Sequence, residues 1–128
     1  MNGMIENAPP DIIGHLDKVK YQLKATNFSE QSNWYKKIVL DTLENIAGKN
    51  IIMELNTRGF YKKRCDFFPS KWILEKAREF DIRVILGSDA HLPAEINAGL
   101  QDGIVVLKSI GYEKITILKD HVWQEASI

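Results

Sequence analysis

An aspartate and a histidine stand two residues apart, directly after an apolar run. The run 82–86 is rich in β-branched residues, which is typical of a buried strand, and Gly87 and Ser88 end it. In an extended backbone, Asp89 and His91 would project to the same face. A carboxylate and an imidazole that converge at a strand end are suited to binding a metal ion. The alternative is that Asp89 caps a following helix and His91 is an ordinary loop residue.

Two earlier apolar runs also end in polar side chains. His15 ends the predicted strand 11–15, and Glu54 and Asn56 lie at the end of the predicted strand 51–56. Because the carboxyl ends of parallel strands meet at one edge of a sheet or barrel, these groups could share a site with Asp89. The alternatives are a buried, hydrogen-bonded His15, and a Glu54 and Asn56 that cap neighbouring loops.

The predicted loop 57–68 concentrates positive charge after the second of these strands. Arg58, Lys62, Lys63 and Arg64 lie within seven positions of one another. Guanidinium and ammonium groups bind phosphate oxygens well, so this loop could hold a phosphorylated ligand. The alternative is a solvated loop whose charges have no ligand.

The elements that must position these residues alternate between strands and helices. Four strands and three helices in this order predict an α/β fold with parallel strands and right-handed crossovers. Residues 1–10 are expected to be a linker and residues 120–128 a terminal extension. In order, the elements are strand 11–15, a long loop 16–29, helix 33–48, strand 51–56, a helix opened by Pro69 and Ser70, strand 82–86, a helix from Pro93 to Gly111, and strand 114–118.

Two helical patterns make specific packing predictions. In helix 33–48, an apolar stripe is predicted at Trp34, Ile38, Leu43 and Ile46. In the last helix, the predicted stripe is Ile96, Leu100, Ile104 and Leu107, and the glycines at 99 and 103 share one face, which predicts close packing against a neighbour.

The composition narrows the class of protein. With 17 Lys and Arg against 17 Asp and Glu, the 128 residues have no net charge, which gives no electrostatic case for binding nucleic acid. No apolar run reaches the length of a membrane span, so no membrane partner is expected. Cys65 is the single cysteine, and the N-terminal residues lack the pattern of a signal peptide, so we expect a cytoplasmic protein.

Four short segments carry a resemblance to a known family. Residues 13–17 read Ile-Gly-His-Leu-Asp, 54–59 Glu-Leu-Asn-Thr-Arg-Gly, 68–70 Phe-Pro-Ser and 87–91 Gly-Ser-Asp-Ala-His. In this order and approximate spacing they resemble histidinol-phosphate phosphatases of the polymerase and histidinol phosphatase (PHP) superfamily. The resemblance runs from about residue 11 to residue 118.

This resemblance implies a distorted (βα)7 barrel that holds two or three divalent metal ions, such as Zn, Fe or Mn. It also implies hydrolysis of L-histidinol phosphate to histidinol and phosphate, in histidine biosynthesis. The implied metal ligands are His15, Asp89 and His91, with Glu54 as a further ligand, and Asp89 and His91 belong to the implied catalytic centre. The implied contacts to the substrate phosphate are Asn56, Arg58, Lys62 and Arg64.

The chain also departs from the family pattern. Family members begin with a His-x-His pair, whereas the histidines here are His15, His91 and His121. The chain therefore resembles the C-terminal half of the family barrel, a single partial domain over residues 1–128 with reduced or absent metal occupancy. Open sheet edges then predict a homo-oligomer or a partner fragment that carries the first half.

Two alternative functions stay open beside the phosphatase. One is a catalytically inactive half-barrel that acts as an assembly or interaction unit. A nuclease of the same superfamily is the other, and both the balanced charge and the Asn-Thr-Arg-Gly segment at 56–59 disfavour it.

Overall fold

The fold is mixed α/β, in a computed structural model that describes residues 1–23, 28–63 and 65–128. Elements are numbered along the chain: α1 Asn2–Asn7, β1 Ile12–Ile13, α2 Val19–Gln22, α3 Asn33–Gly48, β2 Ile52–Asn56, α4 Arg58–Tyr61, α5 Lys71–Glu79, β3 Val84–Gly87, a 3-10 helix Pro93–Glu95, α6 Leu100–Ile110, β4 Lys114–Lys119 and β5 Val122–Ser127.

A parallel three-stranded sheet confirms the first part of the predicted topology. Its order is β1-β2-β3, with Met53 of β2 in register with Ile13 on one side and Val84 on the other. Since β2 is central, its carboxyl end lies between those of the other two strands. The described strands do not close a barrel, so the (βα)7 barrel stays an expectation.

One face of this sheet packs against helices. Met53 and Leu55 are wholly buried, and they share a core with residues of α3 and α5. Burying each large apolar side chain stabilises the fold by about 1.5–3 kcal/mol. The principal helix residues of this core are Val39, Leu43 and Ile46 of α3 and Ile73, Leu74 and Ala77 of α5.

The helix α3 has the predicted bounds, but part of its predicted stripe is wrong. Trp34 and Ile38 are 58% and 54% exposed, whereas Tyr35 and Val39 are buried with Leu43 and Ile46. Positions 35, 39, 43 and 46 also follow helical spacing, and the sequence pattern alone did not distinguish the two adjacent stripes.

The third predicted helix is divided in two. It begins with the 3-10 helix at Pro93, and α6 starts only after Gly99, whose φ of 71° breaks the helical path. Gly111 ends α6 as predicted, but Ile96 is 61% exposed. A Cβ on Gly103 would lie 2.9 Å from Leu86 Cδ2, which confirms that this glycine allows close packing of α6 on β3.

The last strand does not extend the parallel sheet, contrary to prediction. β4 pairs in antiparallel fashion with β5, which the sequence analysis had assigned to a terminal extension. Two residues with positive φ, Asp120 and His121, connect them, as in a type I′ hairpin turn.

Three segments predicted as linker or loop contain short helices. Residues 2–7 form α1, whose Ile5 is wholly buried, so the linker prediction for 1–10 is wrong there. The predicted loop 16–29 contains α2, and the predicted loop 57–68 contains α4. Among the described helices, none has both the length and the apolarity needed to cross a bilayer.

Candidate functional site

Glu54 lies at the carboxyl edge of the parallel sheet, between two glycines of the neighbouring strands. A Cβ on Gly87 would overlap Glu54 Oε1, and a Cβ on Gly14 would lie 3.3 Å from Oε2. Asn56 Nδ2 donates a hydrogen bond to Oε2 at 3.1 Å, and Asn56 Oδ1 accepts one from the Arg58 amide at 3.0 Å. The two glycines therefore form a cradle that the Glu54 carboxylate fills.

The electrostatics of Glu54 show which predicted residues surround it. Burial raises the pKa of the Glu54 carboxyl above its usual value, and the Asn56 hydrogen bond opposes this rise. The charges of His15 and Lys18 also lower the pKa, whereas Asp89 raises it. The structure thus places His15 after β1, Glu54 within β2 and Asp89 after β3, within electrostatic range of one another near the carboxyl edge of the sheet.

His91 lies next to Asp89, with Nδ1 3.8 Å from the carboxylate Oδ1. Asp89 has a φ of 49°, so the backbone is not extended there, and strand alternation is not what brings the two side chains together. The His91 ring is 63% exposed, with Nδ1 2.9 Å from the Asp89 backbone oxygen. The Asp89 carboxylate also faces Lys18, with Oδ2 3.4 Å from Nζ.

A metal ion needs several donor atoms that converge on one point. His15, Glu54, Asp89 and His91 have suitable donor atoms, but in residues 1–23, 28–63 and 65–128 no three His, Cys, Asp or Glu side chains converge on one point. The described residues by themselves therefore do not fit a metal centre.

Four donors converge on Glu95, a residue that the sequence analysis missed. Its Oε2 atom accepts hydrogen bonds from Arg58 Nη1 at 3.3 Å, Tyr61 Oη at 3.3 Å and the His91 amide at 3.0 Å. The Lys62 ammonium donates to Oε1. We call Glu95 and these four donors the Glu95 cluster.

The Glu95 cluster is compact and largely shielded. The Glu95 side chain is 10% exposed, and the Lys62 hydrogen bond, followed by that of the His91 amide, lowers the pKa of its carboxyl to about 2. Arg58 Nη1 also donates to the Asp89 backbone oxygen at 2.5 Å. Arg58 and Lys62, two of the predicted phosphate contacts, are thus held by a carboxylate; the third predicted cation, Arg64, is outside the described residues. In the sequence, the available indication of this cluster was a glutamate four positions after His91.

A buried pair of opposite charges lies after β1, near the carboxyl edge of the parallel sheet. Asp17 and Lys20 lie 2.8 Å apart with side chains 1% and 6% exposed. Asp17 also accepts a hydrogen bond from the Ser70 amide at 2.9 Å, and Lys20 donates to the Phe67 oxygen at 2.8 Å. Burial raises the pKa of Asp17, and the nearby Lys20 opposes this rise. The pair therefore joins the segment after β1 to the start of α5.

Comparison with known proteins gives one informative similarity. No family model matches the chain. Over 106 residues, it is 29% identical to a probable histidinol-phosphatase of Deinococcus radiodurans. The match covers 83% of this chain but only 38% of that protein. This similarity supports a histidinol-phosphatase-like relationship.

Proposed function

We propose that this chain supplies part of a phosphatase site that hydrolyses a small phosphate monoester, with L-histidinol phosphate as the substrate. The observation that carries the proposal is the Glu54 carboxylate in its glycine cradle, with His15 and Asp89 near it at the carboxyl edge. In α/β folds that edge is where ligands bind. The similarity to a probable histidinol-phosphatase points to phosphate chemistry.

We further propose that the chain corresponds to the C-terminal half of a PHP-type barrel. β1 has one hydrogen-bonded neighbour among the described strands and leaves an edge open to further strands, whereas β3 has β4 beside it without a hydrogen-bonded ladder. A second copy or a chain carrying the first half would supply those strands. Binding of Zn, Fe or Mn is proposed only for a site completed in this way, since the described residues do not gather three ligands.

In this proposal each residue has a role that its position supports. Arg58 and Lys62 would neutralise the phosphate oxygens, and Asn56 would hold the backbone of α4 next to the site through the Arg58 amide. Glu54, Asp89 and His15 would supply the charged and polar groups at the reacting phosphorus. His91 would act from the solvent side of Asp89, since its Nδ1 lies 3.8 Å from that carboxylate and its ring is 63% exposed.

The test is phosphate release from L-histidinol phosphate by the purified chain. We expect turnover that is slow compared with a typical enzyme rate of about 10 per second, because the site is incomplete. This residual turnover should be lost in Asp89→Asn and retained in Glu44→Gln, a matched change at an exposed helix position.

Two results would contradict this expectation in different ways. Rapid, chelator-sensitive turnover by the chain alone would show that the site is already complete. Release that never exceeds that of Asp89→Asn would favour the second candidate, an inactive half-barrel that acts as an interaction unit. The absence of a three-ligand group among the described residues is the observation that favours this second candidate.

A further inference from the structure

The donors of the Glu95 cluster exceed what one carboxylate requires. Arg58 and Lys62 bring two positive charges against the single negative charge of Glu95. Asp89 does not balance the remainder, because it offers Arg58 only its backbone oxygen and directs its carboxylate towards Lys18 and the His91 ring. The cluster therefore has one surplus positive charge in a mostly shielded position.

The chemistry of these donors matches a phosphate group. A guanidinium, an ammonium, a phenol hydroxyl and a backbone N–H are all donors, and a phosphate dianion has three terminal oxygens to accept them. The Glu95 carboxylate, by comparison, offers these donors two oxygens and a single negative charge. A phosphate group would thus satisfy the same donors with a better balance of charge.

Glu95 also stands out within its own segment. From Ala90 to Asn97 every residue is exposed except Glu95, which is 7% exposed. The side chains at Leu92 and Ile96 are about three-fifths in solvent. The Glu95 carboxylate is therefore the main attachment of this segment to α4, and the segment has little apolar packing to lose if that attachment is released.

We propose that Arg58, Tyr61, Lys62 and the His91 amide form a phosphate-binding site that Glu95 occupies from within the chain. A phosphate group takes this site by displacing the Glu95 carboxylate, which frees residues 92–97 from α4 while the His91 amide stays at the site. The inference rests on the proposed function only in its choice of phosphate as the competing anion. It adds to that function a carboxylate of the chain itself, Glu95, which competes with phosphate for the same donors.

The experiment is calorimetric titration of the full chain with inorganic phosphate at constant ionic strength. Glu95→Gln removes the competing charge, so we expect phosphate to bind at least about tenfold more tightly than to the native chain. Asp102→Asn is the matched control, since it removes one exposed carboxylate in the first turn of α6 and should leave the affinity unchanged. Adding Arg58→Ala to Glu95→Gln should abolish the gain.

Equal or weaker phosphate binding by folded Glu95→Gln would overturn the proposal, because Glu95 would then only hold Arg58 and Lys62 in position. Hydrogen exchange on the native chain gives a second measurement that needs no variant. Phosphate should accelerate exchange of the amides in residues 92–97, and unchanged or slower exchange there contradicts displacement.

The outcome is separable from that of the proposed function. Tighter phosphate binding by Glu95→Gln without any turnover of histidinol phosphate would support this site and reject the phosphatase. Turnover of histidinol phosphate without tighter phosphate binding by Glu95→Gln would support the phosphatase and reject this site.

Discussion

The two faces of the parallel sheet differ in what they contribute. The helix-covered face packs apolar side chains of all three strands into the core, whereas the open face carries Glu54, the wholly buried Ile52 and the half-buried Ile12 and Ile85. Both faces come from the same strands, because successive side chains alternate between them. The helix-covered face is Ile13, Met53, Leu55, Val84 and Leu86, and the open face is Ile12, Ile52, Glu54, Ile85 and Gly87.

This difference separates stability from chemistry along a single strand. In β2, Leu55 is wholly buried in the core, and Glu54 next to it lies in the glycine cradle at the candidate site. A substitution at one position should therefore change the free energy of unfolding, and a substitution at its neighbour should mainly change the site.

The largest expected effect tests the helix-covered face. Leu55→Ala removes a wholly buried side chain and should lower the free energy of unfolding by about 2–5 kcal/mol. Ile85→Ala on the open face, where the side chain is only half-buried, should cost about 1 kcal/mol. Urea unfolding followed by circular dichroism measures both. Equal costs at the two positions would show that the open face is covered in solution.

The helix-covered face is also the part of the fold that the sequence predicted best. Apolar runs and helix caps indicate strands and helices locally, and β2, β3, α3 and α5 agree with those predictions. Which strand pairs with which is not determined by the local sequence. The apolar pattern of β4 fits a parallel or an antiparallel neighbour equally well, and its turn at Asp120 and His121 lacks the glycine that usually identifies a hairpin.

The candidate site was predictable only where residues lie in the last positions of parallel strands or just after them. His15, Glu54 and Asp89 reach one edge because parallel strands end together. The orientation of His91 depends on the left-handed backbone at Asp89, and the position of Glu95 depends on where segment 90–97 folds back. Both follow from long-range contacts, which the residue types alone do not specify.

A smaller effect is expected in the glycine cradle. Gly87→Ala places a methyl group on the Glu54 carboxylate and should cost about 1–3 kcal/mol of unfolding free energy. Gly14→Ala is the control, because its Cβ would lie 3.3 Å from the same carboxylate and should be tolerated better. The cost of Gly87→Ala should fall in a Glu54→Ala background, as a double-mutant cycle measures. An unchanged cost there would mean that the methyl group meets something other than Glu54.

The smallest effect on folding, and the last prediction, concerns assembly through the open face. Its half-buried isoleucines, Ile12 and Ile85, and the free edge of β1 are expected to pair with a second copy or with a partner chain. Ile85→Thr keeps a β-branched residue in β3, so the chain should stay folded with a loss below about 1 kcal/mol. A two-fold dimer would contain the change twice, and about 1 kcal/mol at each copy weakens dimerisation by roughly 30-fold.

Sedimentation velocity at micromolar concentration distinguishes dimer from monomer, with Val105→Thr on the exposed surface of α6 as the matched control. A native chain that sediments as a compact monomer would reject self-assembly and leave a partner chain as the remaining way to cover this face.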